Sequence, residues 1–226
     1  MITAMKIETK IWLQDLLTGM AGNVMNCPVS GLSLNSRKTK PGDVFFAVSG
    51  INAHGLIHAE EAINKGAVAI VYDPEGITDE QVSHLKDRAL IEIKNLNYKL
   101  GEIASRFYGH PSSQIDVIGI TGTNGKTSCS QFLAQALENS GVIGTLGWGE
   151  WGNLNSTINT TPDALTLQAI MAEFVSRNKK TVAMEVSSHG LEQGRVNGIE
   201  FKGGLRGYGL EIAFTHNLFD LYLLQV

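Results

Sequence analysis

The stretch Gly119-Ile120-Thr121-Gly122-Thr123-Asn124-Gly125-Lys126-Thr127 decides the fold. It lies between an apolar run, Asp116 to Ile120, and a segment with helical spacing, Ser128 to Asn139. Strand, glycine loop and helix in that order make a phosphate-binding unit, because backbone N–H groups can wrap a polyphosphate only where no Cβ intervenes. Gly122 and Gly125 are placed for that role. Lys126 would reach the β/γ-phosphates and the Thr127 hydroxyl would ligate Mg²⁺, with the helix N-terminus facing the anion. The generic spacing G-x-x-x-x-G-K-[ST] asks for glycine at Ile120, and here it stands one place earlier, at Gly119. In the helix, Phe132, Leu133, Ala136 and Leu137 are expected to form the packed face, with Gly141 closing it.

Outward from the loop, the C-terminal side reads as alternating strands and helices. Val142 to Leu146 is an expected strand, Gly147 to Asn153 a glycine-punctuated turn with Trp148 and Trp151 packed in it, and Ala164 to Arg177 a helix started by Pro162 and Asp163. Thr181 to Ser187 is a second apolar strand carrying one carboxylate, Glu185, near the C-terminal end where open α/β sheets collect ligands. A carboxylate in such a run needs a partner. Mg²⁺ shared with Thr127 would supply one, and so would a nearby N–H or basic group. His189, Gln193 and Arg195 follow closely enough to be substrate contacts, while Asn159, Thr160 and Thr161 read equally as a helix-start turn or as functional residues.

On the N-terminal side, Lys10 to Leu17 suggests a short helix and Leu32 to Arg37 an edge strand. Pro41-Gly42 favours a type II turn. Val44 to Val48 reads as a strand buried on both faces, Gly55 to Lys65 as a helix and Ala67 to Tyr72 as the next strand, a parallel crossover unit. A further strand, Ala89 to Ile93, and an amphipathic helix, Leu96 to Tyr108, complete this half. Gly109 to Gln114, rich in Gly, Pro and Ser, is the expected linker. The organisation is thus α/β, with domains at 1–110 and 111–226 and a mainly parallel sheet in the second.

Bulk properties bound the partners. The 226 residues are 43% hydrophobic and 18% charged with a net charge of −4, values that argue against disorder and give no basic surface for nucleic acid. Cys27 and Cys129 lack metal-ligand spacing, and a reducing cytoplasm is the default. Lys6, Glu8 and Lys10 interrupt the N-terminus, which excludes a conventional signal peptide, and no window reaches the ~18–20 apolar residues of a membrane span.

Several motifs in order resemble the Mur ligase family of peptidoglycan synthesis: LNSRKTKPGDVFFAVSG from Leu34, the loop GITGTNGKT, NTTPD from Asn159, and AMEVSSHGLEQGRV from Ala183. The last is the most specific and marks the members that add the third residue of the peptide. The resemblance implies a small N-terminal α/β domain that binds the UDP sugar, a central ATPase domain, and a C-terminal domain for the incoming amino acid. By that analogy Leu34, Ser36, Ile51, Asn52 and Ala53 would line the uridine site, and Thr121 to Thr127 would bind ATP. Asn159, Thr160, Thr161, Ser187, Gln193 and Arg195 would contact UDP-MurNAc-L-Ala-D-Glu. Lys126 and Glu185 would be the catalytic pair, and Thr127 and Glu185 would hold Mg²⁺. The implied reaction is ATP-dependent activation of the substrate carboxylate as an acyl phosphate, followed by attack of the amino group of meso-diaminopimelate. Alternatives are an L-lysine-adding or folylpolyglutamate-type ligase, and a fragment that binds without catalysis.

Asn35, Ile51 and His54 replace the family's usual Asp, His and Asp. From about Gly203 the chain departs from the family, with Phe214 to Leu218 only an echo of its metal-binding segment. The expectation is a truncated or frame-shifted product with an incomplete central domain.

Overall fold

The computed structural model describes residues 11–22, 24–50, 53–85, 89–206 and 211–213. They fall into two compact units that divide between Ile103 and Ala104. Ile51 and Asn52, the segment Phe214 to Leu218 and the N-terminal ten residues lie outside the described set.

The first unit opens with β1 (Ile11–Trp12), α1 (Leu13–Leu16) and β2 (Pro28–Val29), so the helix expected from Lys10 is confined to one turn, with Leu13 and Leu16 buried. Its main sheet is parallel and four-stranded, in the order β3 (Gly31–Ser33), β4 (Asp43–Ala47), β5 (Ala69–Tyr72), β6 (Leu90–Glu92). All five residues of β4 and all four of β5 are buried, as continuous apolar runs in a covered parallel sheet should be. The crossover helix α2 (Ala59–Asn64) is preceded by a 3₁₀ turn, Gly55–His58. It packs Leu56, Ala59 and Ala62 with Phe45, Ile70 and Tyr72. A one-turn helix, α3 (Asp79–Ser83), begins at a Thr78–Gln81 capping box. The amphipathic α4 (Leu96–Phe107) runs across the division.

The second unit is a seven-stranded sheet. Its elements in chain order are β7 (Asp116–Thr121), α5 (Lys126–Ala136), β8 (Ser140–Gly144), β9 (Gly147–Glu150), β10 (Asn153–Asn155), α6 (Ala164–Ser176), β11 (Thr181–Glu185), α7 (Ser188–Glu192), β12 (Phe201–Arg206) and β13 (Glu211–Ala213). The strand order is β10-β9-β8-β11-β7-β12-β13, with β8, β11, β7 and β12 parallel and the outer strands antiparallel. Pro111 and Ser112, expected in a linker, are buried in this unit, and the Ser112 hydroxyl accepts from the Glu200 N–H at 3.1 Å.

Three local expectations need correction. Phe132 is 68% exposed, and the side of α5 turned to the sheet is lined by Ser130 and Ala134; small residues let the helix lie close to the strands. Gly141 does not close α5, which ends at Ala136, but sits within β8, where a Cβ would come 2.8 Å from the Phe174 ring. Gly147 to Asn153 is not a simple turn but a hairpin of β9 and β10, with Trp148 buried edge-on against Phe174 and Trp151 at its exposed tip. The sequence departure at Gly203 leaves β12 intact. Gly203 and Gly204 pair through their backbones with Ile118 and Gly119, a contact indifferent to side chain. Among the described residues no helix is long and apolar enough to cross a membrane.

Candidate functional site

Parallel pairing brings the functional loops to one edge of the second sheet. β11 lies beside β7 with Glu185 opposite Ile120, so the carboxylate leaves its strand where the glycine loop leaves the neighbouring one. Gly125 has φ +83° and directly precedes α5, a conformation costly for any residue with a Cβ. Having no side chain, it leaves α5 without a capping bond, whereas Asp163 caps α6 and Ser187 caps α7. An uncapped helix start of three turns beside a glycine loop is suited to an anion. Lys126 folds back over the loop, its Nζ donating to the Gly122 carbonyl at 2.6 Å.

Glu185 is fully buried and its carboxylate is met by four donors. The hydroxyls of Thr127 and Thr145 donate to Oε2, each at 3.0 Å; the Thr145 N–H and the Ser130 hydroxyl donate to Oε1 at 3.1 and 3.2 Å. These hydrogen bonds meet the need for partners that its place in an apolar strand raised. Room for the group comes from Gly144, where a Cβ would lie 2.0 Å from Oε1.

The segment Asn159–Thr161 reaches the same edge. Thr160 Oγ1 is 3.0 Å from Thr145 Oγ1. Thr161 is fully buried; its hydroxyl donates to the Glu185 carbonyl at 3.1 Å and accepts the Ser187 N–H at 3.0 Å. Its side chain thus fixes the turn after β11, and its carbonyl accepts from Arg195 Nη1 at 2.7 Å. Gln193 Oε1 holds Arg195 from the side, accepting from Nε at 2.9 Å and Nη2 at 2.6 Å. Thr127, Thr160, Thr161, Glu185, Ser187, Gln193 and Arg195 are therefore placed close together by a series of hydrogen bonds. Asn159 is exposed and shares a cleft of about 320 Å³ with Trp148, Asn155, Pro162 and Thr166. His189 is exposed in the first turn of α7.

In the first unit, Leu34 and Ser36 follow β3, and Ala53 lies in the loop after β4, so both groups emerge from the C-terminal ends of adjacent parallel strands. The Ser36 hydroxyl donates to Glu61 Oε2 at 2.5 Å and holds that carboxyl below its usual range. His54 starts the 3₁₀ turn, its Nδ1 accepting the Leu56 N–H at 3.0 Å. It thereby performs the capping role open to the Asp usual at this position.

Ser130, Gly144 and Thr145 join the site without being marked in the sequence. Ser130 stands one helical turn after Thr127, a spacing that places both on one face. Gly144-Thr145 follows Val142-Ile143 at the end of β8 with no charged side chain out of place, so the kind of signal that marked Glu185 is lacking there.

A glycine loop opening a helix at the C-terminal edge of a parallel sheet, faced by a carboxylate on the adjacent strand, defines a phosphate-loop nucleotide-binding architecture. The family is narrower. Residues 28–108 match the model described as Mur ligase family, catalytic domain, and residues 120–205 match that of the Mur ligase middle domain. The chain belongs to the Mur ligase family. It is 49% identical over 174 residues to UDP-N-acetylmuramoyl-L-alanyl-D-glutamate–2,6-diaminopimelate ligase of Pseudomonas aeruginosa, covering 75% of this chain and 35% of that one. To the ligase of the same name from Ectopseudomonas mendocina it is 45% identical over 193 residues, 84% of this chain and 38% of that one. A solved structure of a ligase of that name superposes with a TM-score of 0.74 at 26% identity, over 95% of this chain and 43% of the other. The chain thus spans little more than a third of the length of these curated relatives.

Proposed function

We propose that this chain carries the UDP-sugar-binding and ATP-binding parts of a cytoplasmic ligase that joins meso-diaminopimelate to UDP-MurNAc-L-Ala-D-Glu. The observation that carries the reading is the Thr127–Glu185 contact at the uncapped start of α5. The relatives' names supply the substrate.

The donor set suits Mg²⁺. The Thr127 hydroxyl donates to Glu185 and keeps its lone pairs for a hard cation, while Glu185, whose oxygens already accept four hydrogen bonds, would join that cation by giving up the weakest of them. Among the described residues no group of three His, Cys, Asp or Glu could hold a metal by itself. Mg²⁺ is commonly held by one or two protein oxygens together with substrate phosphates. When bound there, it would neutralise charge on the β- and γ-phosphates. Lys126 would exchange its bond to the Gly122 carbonyl for the phosphates, and the backbone of 122–125 would cradle them. Arg195, held along one side by Gln193 and at Nη1 by Thr161, keeps further N–H groups with which to orient the substrate carboxylate. That carboxylate oxygen attacks the γ-phosphorus and ADP leaves. The neutral amine then attacks the acyl carbon of the resulting acyl phosphate to give a tetrahedral intermediate, which collapses to the amide as phosphate leaves and the amine's proton passes to the departing phosphate.

Calorimetric titration with Mg·ATP and, separately, with UDP-MurNAc-L-Ala-D-Glu tests the reading. Saturable binding of both is expected. Absence of both would overturn it.

A further inference from the structure

Thr145 follows β8 at the edge shared by the phosphate loop and Glu185. It grips both oxygens of the buried carboxylate, with its N–H on Oε1 at 3.1 Å and its hydroxyl on Oε2 at 3.0 Å. The residue itself is exposed, so it does not fill the core. Its hydroxyl also lies 3.0 Å from that of Thr160. A hydroxyl carries one proton and an ionised carboxylate only accepts. The Thr145 proton therefore goes to Glu185, and the proton between the two threonines comes from Thr160. The chain runs one way, from Thr160 through Thr145 to Glu185. It leaves the Thr160 oxygen as an acceptor. Ser130 is a weaker guide for the carboxylate, since its single proton is divided between Glu185 Oε1 at 3.2 Å and the Thr127 carbonyl at 2.9 Å.

We propose that Thr145 is a positioning residue that joins the cation side of the site to the substrate side. It fixes the carboxylate so that Oε2 meets the Thr127 hydroxyl, whose lone pairs are then turned to the cation. It also holds Thr160 ready to accept from a hydroxyl or amide N–H of the bound substrate. The inference rests on the reading that Mg·ATP occupies the Thr127–Glu185 site. Partners that orient metal-binding groups from behind typically change metal affinity by about 10- to 100-fold when removed.

The test measures ATP binding by calorimetry over a Mg²⁺ series and again in EDTA, for wild type, Thr145→Val and Thr145→Ser. Valine keeps the shape and the backbone N–H but removes the hydroxyl. The expected result is a rise of about tenfold or more in the Mg²⁺ concentration at half-effect for Thr145→Val, unchanged ATP affinity in EDTA, and recovery in Thr145→Ser. A wild-type Mg²⁺ midpoint in Thr145→Val overturns the proposal, as does an equal loss with and without Mg²⁺, which a merely structural role would give. Should the valine variant not fold, Thr145→Cys, a weaker donor, must shift the midpoint in the same direction, and an unchanged midpoint overturns the role. Wild-type binding that ignores Mg²⁺ instead overturns the underlying reading and the role of Thr145 with it.

Discussion

Gly144→Ala directs one methyl group at the centre of the site. Its Cβ would lie 2.0 Å from Glu185 Oε1 and 2.6 Å from Cδ, far inside contact distance. The end of a glutamate is normally free to move aside, but this one is fully buried and held by four donors. Displacing Oε1 breaks its bonds to the Ser130 hydroxyl and the Thr145 N–H. Hydrogen bonds to a charged group contribute about 1.5–3 kcal/mol each, so the loss is roughly 3–6 kcal/mol. For a chain of this size each kcal/mol lowers Tm by about 2–4 °C, so the smaller loss corresponds to about 6–12 °C. Thermal unfolding followed by circular dichroism, with urea titration beside it, reads the effect. The double variant Gly144→Ala/Glu185→Ala should lose less than the sum of its parts, because the second change removes the atoms that clash. A Gly144→Ala protein melting within about 2 °C of wild type would refute the argument that the glycine exists to admit the carboxylate.

Lys126→Ala should reduce ATP affinity at least about tenfold in calorimetry while leaving Tm nearly unchanged, since among the described residues Nζ is tied by a bond to a loop carbonyl and not to the core; undiminished affinity would remove the lysine from phosphate binding. Trp148→Ala removes a buried ring packed edge-on to Phe174 and should cost about 3–5 kcal/mol in urea unfolding. Burial holds the His54 imidazole below its ordinary pKa despite the opposing pull of Asp73. The unfolded chain therefore takes up the proton first as pH falls below about 6.5, and stability declines until the folded histidine is also protonated. Protonation also removes the acceptor for the Leu56 N–H. His54→Asn, which keeps an acceptor for that turn, should flatten Tm between pH 7 and about pH 5, and a Tm profile identical to wild type would exclude the histidine as its source.

Much of the architecture was legible where one physical signal dominates. β4 and β5 announce themselves as continuous apolar runs between turn residues, α4 by its amphipathic spacing, and α6 by Asp163 at its start. Helix α5 misled, because its buried side is made of Ser130 and Ala134 while Phe132 points outward; hydrophobicity there does not report burial. The β9–β10 hairpin was hidden by glycines, whose backbones pair in a ladder as readily as they turn. At the site, the loop and Glu185 could be read from spacing and from the oddity of a carboxylate in an apolar strand. Thr145 could not, because its importance lies in the pairing of β8 with β11, a contact between residues 40 positions apart. The same holds for Thr161, which the sequence offered as part of a helix-start turn or as a substrate contact and the fold uses as a buried tie between the Glu185 carbonyl and the Ser187 N–H.

The central claim is that Glu185 and Thr127 form the cation half of an ATP site. Its most direct test is Mn²⁺ binding followed by electron paramagnetic resonance in the presence of ATP, comparing wild type with Glu185→Gln. The amide nearly preserves the size of the buried group while removing its charge. A protein-bound Mn²⁺·ATP signal is expected in wild type, with at least about a tenfold weakening in Glu185→Gln. Equal Mn²⁺·ATP binding by the two proteins would contradict the claim.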